Sequence, residues 1–357
     1  MTDDVQSSFS GTRPVAPQHA FDEARLAALL RGRIDGLGAA LRVEQFKGGQ
    51  SNPTFLIESG ARRLVLRRKP PGALLPSAHA VDREYRLLRA LEGTGVPVAH
   101  AHLLCEDPEV IGTPFYVMDC VDGRIFWDPS LPGMAPAERG ALYDEMNRVI
   151  AALHRVDPAA VGLADYGKPG NYFARQVARW TRQYRAAETE RIEAAERLIE
   201  WLPAHLPPEG ETRIVHGDYR LDNVIFDPQA PRILAVIDWE LSTLGDPLGD
   251  FAYHCMRWRL DAGGARGLAG ADLPALGIPD EAAYLQRYLE RTGMRAPAPA
   301  EWTYRLVFSM FRLVGILQGV AARAQRGNAS SALAGQTGRR ARPVAEQAWA
   351  LAQTIAP

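Results

Sequence analysis

The chain of 357 residues is short of several things, and each shortage excludes a class of protein. It has 3 cysteines, Cys105, Cys120 and Cys255. They are too few and too scattered for a disulfide framework or a zinc site, so they read as free, buried thiols of a reducing compartment. Charge is balanced: 41 basic against 42 acidic residues leave no global field to attract nucleic acid or a membrane surface. Although 46% of the residues are hydrophobic, no apolar run is long enough to suggest a membrane span. The opening MTDDVQSSFSGTRPVAPQ lacks the basic-then-apolar pattern of a secretory leader, and residues 1–20 are expected to be disordered. No internal repeat is visible. A cytoplasmic location is the expectation that follows.

The length suits two lobes rather than one core. Early on, apolar spacing from Phe21 to Arg33 predicts a helix. Strands are then expected over Leu41–Phe46, Thr54–Ile57 and Arg63–Arg68. Between the first two of these lies Lys47-Gly48-Gly49-Gln50-Ser51-Asn52. Glycines there allow close backbone approach to a phosphate, and Ser51 or Asn52 can donate hydrogen bonds to it. In the third strand Val65 and Arg67 share one face while Leu64 and Leu66 share the other. An amphipathic helix from Val81 to Glu92 and a strand from Phe115 to Met118 complete this half, with a boundary near Gly123.

Everything else is organised around Ile214 to Glu240, IVHGDYRLDNVIFDPQAPRILAVIDWE. Two apolar runs, Val224–Phe226 and Ile233–Ile237, flank the turn-forming Asp227-Pro228 and predict a hairpin. Such a hairpin puts Asn223, at its entry, and Asp238, at its exit, at one end. An amide oxygen and a carboxylate suffice for Mg²⁺, which keeps much of its coordination for water and phosphate. Asp218, on the incoming loop, is a further carboxylate able to orient a hydroxyl and accept its proton.

His216-Gly217-Asp218, Asn223 and Ile237-Asp238 together resemble the catalytic loop and metal-binding aspartate of the aminoglycoside phosphotransferase and choline kinase family. The resemblance implies a two-lobed, protein-kinase-like α+β fold. A small antiparallel-sheet N-lobe (21–122) would carry the nucleotide, and a mostly helical C-lobe (123–357) the catalytic loop and the acceptor. It implies ATP and Mg²⁺ as cofactors, with Asp218 as the base and His216 orienting its loop. Asn223 and Asp238 would hold the metal. Gly48, Gly49, Ser51 and Asn52 would cover the phosphates. Arg67, with Val65 beside it, takes the place of the usual strand lysine, and Arg68 and Lys69 are rivals for that contact. Glu84 would pair with the strand cation, and Met118 to Val121 would meet the adenine.

Toward the C-terminus, His154 reads as a satisfied core or capping histidine, and Asp250 as the N-cap of a helix from Phe251 to Leu260, with Asp246 holding the preceding loop. The helix Glu301–Gln325 is unusual. Leu306, Met310, Leu313, Val314, Leu317, Val320 and Ala321 form a core stripe, yet Arg305, Phe308, Arg312, Gly315, Gly319 and Arg323 lie opposite. Each interior glycine costs about 1 kcal/mol against alanine. Either another helix packs there or an anionic acceptor is held by Arg312 and Arg323. Trp180 and Tyr184, one turn apart on the expected helix 171–187, are candidates for the same acceptor site or plain core.

GGQSNPTF, LRRKPPG, DREYRLL, RWTRQY, IDWELSTLGDPLGDFAY and FRLVGILQG look like one branch of the family: the kinase-like domain fused to acyl-CoA dehydrogenases in some animal proteins, with bacterial relatives at times labelled as the dehydrogenase. Since the resemblance spans about Phe46 to Ala329 and implies no flavin domain there, dehydrogenase chemistry is not expected of these residues. The branch implies a small-molecule hydroxyl acceptor linked to CoA, a hydroxyacyl-CoA. The alternatives are an aminoglycoside, choline or sugar kinase, or a non-catalytic nucleotide-binding module.

Overall fold

The computed structural model describes residues 11–47, 52–70, 80–261, 267–326 and 334–355. Gly48, Gly49 and Ser51 lie outside the described residues. The chain divides into two compact units: residues 1–127 with 161–163 and 222–240, and the remainder.

The first unit holds a six-stranded antiparallel sheet. Its strands are β1 (Thr12–Arg13), β2 (Arg42–Phe46), β3 (Thr54–Ser59), β4 (Arg62–Arg68), β5 (Ala101–Cys105) and β6 (Phe115–Asp119), ordered β1-β2-β3-β4-β6-β5. Alternation along the strands decides its two faces. Phe55, Ile57, Leu64, Leu66, Phe115 and Val117 turn one way and form a core with Leu26 and Leu30. Those two leucines come from the helix Glu23–Arg31, whose N-cap Asp22 accepts from Ala24 N and Arg25 N at 3.0 Å. Each such side chain contributes about 1.5–3 kcal/mol on full burial. Val65, Arg67, Tyr116 and Met118 share the opposite face, because Val65 pairs with Met118 and Arg67 with Tyr116.

Disorder was the expectation for residues 1–20, and the structure corrects it for the described part. Thr12 and Arg13 pair with Phe46 and Gln45, and the Thr12 hydroxyl donates to Glu44. An edge strand of two residues is too short for periodicity to reveal.

Strand β7 (Arg213–Val215) belongs to the second unit, but the hairpin that follows, β8 (Val224–Phe226) and β9 (Ile233–Val236), belongs to the first. The backbone explains this. Arg124 and Phe226 exchange two N–H···O bonds of 2.8 Å, and Val236 N donates to Pro97 O at 2.8 Å. Gly123 permits the approach, since a Cβ there would come 2.2 Å from Phe226 O. The expected division at 122/123 assigned this hairpin to the other part of the chain; its hydrogen bonds place it with the sheet.

In the second unit β7 pairs with β10 (Thr243–Gly245), Val215 opposite Thr243. Around this pair are the helices Pro136–Arg155, Tyr172–Ala186, Glu193–Ala204, Pro247–Cys255, Glu281–Thr292, Pro299–Gln325 and Ala341–Ala352. The helix Pro299–Gln325 is long and apolar enough, by length and composition, to cross a membrane, contrary to the sequence expectation. However, 83% of its most apolar window is buried inside the protein, as in the core helix of a soluble domain. Leu306, Met310 and Val314 are buried, and so are Arg305, Phe308, Arg312 and Gly315 on the supposedly outer side. That side is packed.

Candidate active site

In the first unit, Arg67 lies on the sheet face opposite the apolar core and is only 8% exposed. Its guanidinium pairs with Glu84 at 3.1 Å, Asp238 at 2.8 Å and Glu240 at 3.6 Å. Burial alone would lower its pKa, but Glu84 and Asp238 outweigh that and raise it, so the charge is permanent. Glu84 is equally enclosed. Desolvation raises its pKa against the lowering effect of Arg67, and its oxygens accept from Asn52 Nδ2 at 3.1 Å and the Tyr116 hydroxyl at 3.0 Å.

The three neighbouring cations differ in their protein partners. Arg68 points to the other face, donates to the Ile111 and His19 carbonyls at 3.1 Å, and lies over the Phe21 and Phe55 rings. Lys69 pairs with Asp82 at 3.6 Å. Only Arg67 has the Glu84 partner that the family resemblance implied. A correction concerns Asn52: the expected phosphate donor is fully buried and its side chain donates to Glu84 instead. Sequence alone could not reveal this, since a polar residue after a glycine turn fits either role. Met118 and Val121 are half-buried, Met118 beside Val65 on the Arg67 face.

The hairpin carries the metal-type donors as its register requires. Ile237 N donates to Asn223 O at 2.9 Å, which brings Asn223 and Asp238 to one end of the hairpin. Asp238 has φ +65°, the left-handed region that a non-glycine residue adopts at a cost of about 1–3 kcal/mol. An amide oxygen, a carboxylate and a nearby fixed guanidinium form a hard, mixed-charge set that fits Mg²⁺ with nucleotide phosphates. Among the described residues there is no group of three or more His, Cys, Asp or Glu side chains that could hold a metal by themselves, so phosphate and water would supply the remaining ligands.

In the second unit the loop after β7 is fixed from below. Asp250 is buried and accepts from His216 N at 2.7 Å, Gly217 N at 2.8 Å and His154 Nε2 at 3.1 Å. Desolvation would raise its pKa, yet these donors hold the carboxyl below its usual range. The N-cap of the helix is Asp246, which accepts from Gly249 N at 2.5 Å. The helix begins a turn earlier than expected because Pro247 suits its first position, and this puts Asp250 inside it. Capping was therefore the wrong role for Asp250. His154 proves to be a satisfied core histidine, bonded also to the Tyr288 hydroxyl at 2.7 Å.

His216 Nδ1 accepts from Asp218 N at 3.1 Å, and Gly217 (φ +83°) keeps the turn tight: a Cβ would come 2.6 Å from Leu241 O. The Asp218 carboxylate, half-buried, lies 3.2 Å from Arg220 Nε. Tyr253, close enough for Asp218, Arg312 and Arg220 to act on it, has its pKa pushed up to about 12, chiefly by burial.

The four expected acceptor residues separate. Tyr184 is core: it is fully buried and its hydroxyl accepts from Ile192 N at 3.3 Å. Arg323 is exposed, eleven positions along the helix from Arg312. Trp180 and Arg312 meet, with the guanidinium 5.0 Å from the indole centroid and 4.5 Å from that of Tyr253. Arg305, by contrast, makes a buried two-point pair with Asp246 at 3.1 and 2.9 Å.

An antiparallel sheet with a buried arginine–glutamate pair, followed by a mainly helical part with an aspartate-anchored HGD loop, is a protein-kinase-like phosphotransferase fold. The chain belongs to the phosphotransferase enzyme family, whose model matches residues 42–302. It is 48% identical over 341 residues to mouse acyl-CoA dehydrogenase family member 10, and 42% identical over 322 residues to human family member 11. Those matches cover 95% and 89% of this chain, which spans 32% and 41% of the relatives' own length. A crystal structure from Ralstonia eutropha JMP134, provisionally described as an aminoglycoside phosphotransferase, is 55% identical. It superposes with a TM-score of 0.86 over 95% of this chain and all of that one. Spectinomycin phosphotransferase bound to ADP and spectinomycin shares the fold at 12% identity and a TM-score of 0.61, covering 92% of this chain and 98% of that one.

Proposed function

We propose that the chain transfers the γ-phosphate of ATP, with Mg²⁺, to a hydroxyl of a small molecule, and that a hydroxyacyl-CoA is the favoured acceptor. The reading is carried by the loop anchored on Asp250. With His216 N and Gly217 N held by a buried carboxylate, Asp218 is presented on a backbone that does not need to reorganise. In the reaction the acceptor oxygen forms a bond to the γ-phosphorus, the bond from that phosphorus to the β–γ bridging oxygen breaks, and the hydroxyl proton passes to the Asp218 carboxylate. Arg67 is the cation that faces the phosphate chain, kept charged and oriented by Glu84. Asn223 and Asp238 would hold Mg²⁺, which would supply neutralisation of phosphate charge. A CoA-linked acceptor is supported by the similarity to acyl-CoA dehydrogenase family members, over the part of their length that this chain matches.

Substituting Asp218→Asn is expected to lower turnover by about 10²–10⁴-fold while ATP affinity stays unchanged. Turnover close to wild type in that variant would remove Asp218 from its role.

A further inference from the structure

Within the second unit, nearby carboxylates already have partners. Asp246 is paired with Arg305 at 2.9 Å, Asp250 with His154 at 3.1 Å and two loop amides, and Asp218 with Arg220 at 3.2 Å. Arg312, 6% exposed, is left over. Among the described residues it makes no hydrogen bond or ion pair, and its Nε is sealed from solvent without a partner. It is held only by the faces of Trp180 and Tyr253. The helix accommodates this stack at Gly315, three positions on, where a Cβ would come 3.4 Å from the Trp180 ring. A second guanidinium, Arg179, lies 5.8 Å from the same indole and is likewise without a hydrogen bond or ion pair among the described residues. Desolvation lowers the Arg179 pKa, and the charge of Arg312 lowers it further.

A buried guanidinium with no counter-ion is unfavourable in the free protein, unlike the compensated Arg305 on the same helix. Planar, five-donor cations stacked on aromatic rings suit an oxyanion that offers several acceptor atoms. We propose that Arg312, between Trp180 and Tyr253, and Arg179, near the same indole, form the subsite that grips an oxyanion of the acceptor substrate, a phosphate or a carboxylate. The proposal rests on the phosphotransferase reading for the word acceptor, but anion binding itself does not depend on turnover. It draws on Arg179 and Tyr253 rather than on Tyr184, which is core, or Arg323, which is exposed eleven positions further along the helix.

The test is calorimetric titration of the full chain, without nucleotide, by CoA in one arm and by a free short-chain hydroxycarboxylate in the other. Wild type should bind one of them. Saturation by CoA identifies a phosphate source and saturation by the hydroxy acid a carboxylate source. Arg312→Gln and the surface change Arg179→Ala should each weaken that binding about tenfold or more, with ATP affinity unaltered. Melting of Arg312→Gln should stay within a few degrees of wild type, because no buried counter-ion is left unpaired and only the ring contacts are lost. Binding of neither probe, or equal binding by wild type and both variants, would overturn the subsite. Anion binding as expected, with no phosphate transfer to any hydroxyl acceptor, would keep the subsite and dismiss the phosphotransferase reading instead.

Discussion

Both units bury an arginine, and they treat its charge in opposite ways. Arg67 in the first unit faces three carboxylates, Glu84, Asp238 and Glu240, within 3.6 Å. Arg312 in the second faces two aromatic rings and, among the described residues, no carboxylate. The second unit is able to compensate a guanidinium, since Arg305, two turns earlier on the same helix, has Asp246 at 2.9 Å. What separates the two sites is therefore completeness. The Arg67 site is a finished electrostatic unit whose members support one another, whereas the Arg312 site is half of a pair.

The comparison can be broken by removing one cation at a time. Arg67→Met leaves Glu84 enclosed beside Asp238 with no cation, and is expected to cost about 3–5 kcal/mol of unfolding free energy in a urea titration. Adding Glu84→Gln should recover part of that loss. If Arg67→Met is as stable as wild type, the site is not a mutually dependent set.

A smaller effect concerns a titratable group that the second unit buries without charge. Burial lowers the His254 pKa from 6.5 to about 3, and Nε2 meets the Tyr284 hydroxyl at 3.0 Å. Because the folded pKa is the lower one, the unfolded chain binds the extra proton as pH falls below 6.5. The contribution of His254 is thus complete above that pH and declines as the solution is acidified toward about 3. The loss should be about 2 kcal/mol between roughly pH 7 and pH 5. Denaturant titrations of His254→Phe at both pH values should show that much less pH dependence than wild type. Equal slopes would place His254 outside the acid response.

The smallest expected change sharpens the contrast along one helix. Arg323 is exposed, so Arg323→Ala should shift stability by less than about 0.5 kcal/mol and leave acceptor KM unchanged. A tenfold rise in that KM would mean that the anion subsite extends to the helix end.

Much of this was legible in the chain. Hairpin register follows from two apolar runs and an Asp-Pro turn, and it brought Asn223 and Asp238 to one end without any further information. Strand alternation put Arg67 on the Val65 face, although the pattern alone left Arg68 and Lys69 as rivals for its contact. Less visible were β1, β5 and β10. The first has two residues and the last three, too few to show a period, and β5 has an irregular register at Ala101 to Leu103. The role of Asp250 was hidden because an aspartate before an apolar run reads as a cap. Its partners are backbone amides more than thirty residues away. The core burial of Glu84 was hidden for a similar reason: a carboxylate enters an apolar interior only when distant residues, here Arg67, Tyr116 and Asn52, supply its bonds. On the long helix, the two faces were separable by period. Which of its arginines had a partner was decided by helices and loops elsewhere in the chain.

The most direct measurement is mass spectrometry of hydroxyacyl-CoAs, aminoglycosides and choline after incubation with the full chain, ATP and Mg²⁺. A hydroxyacyl-CoA should gain one phosphoryl group, in an ATP-dependent reaction that fails with Asp218→Asn. Absence of a phosphorylated product from every acceptor, by protein that still binds ATP, would contradict the assignment.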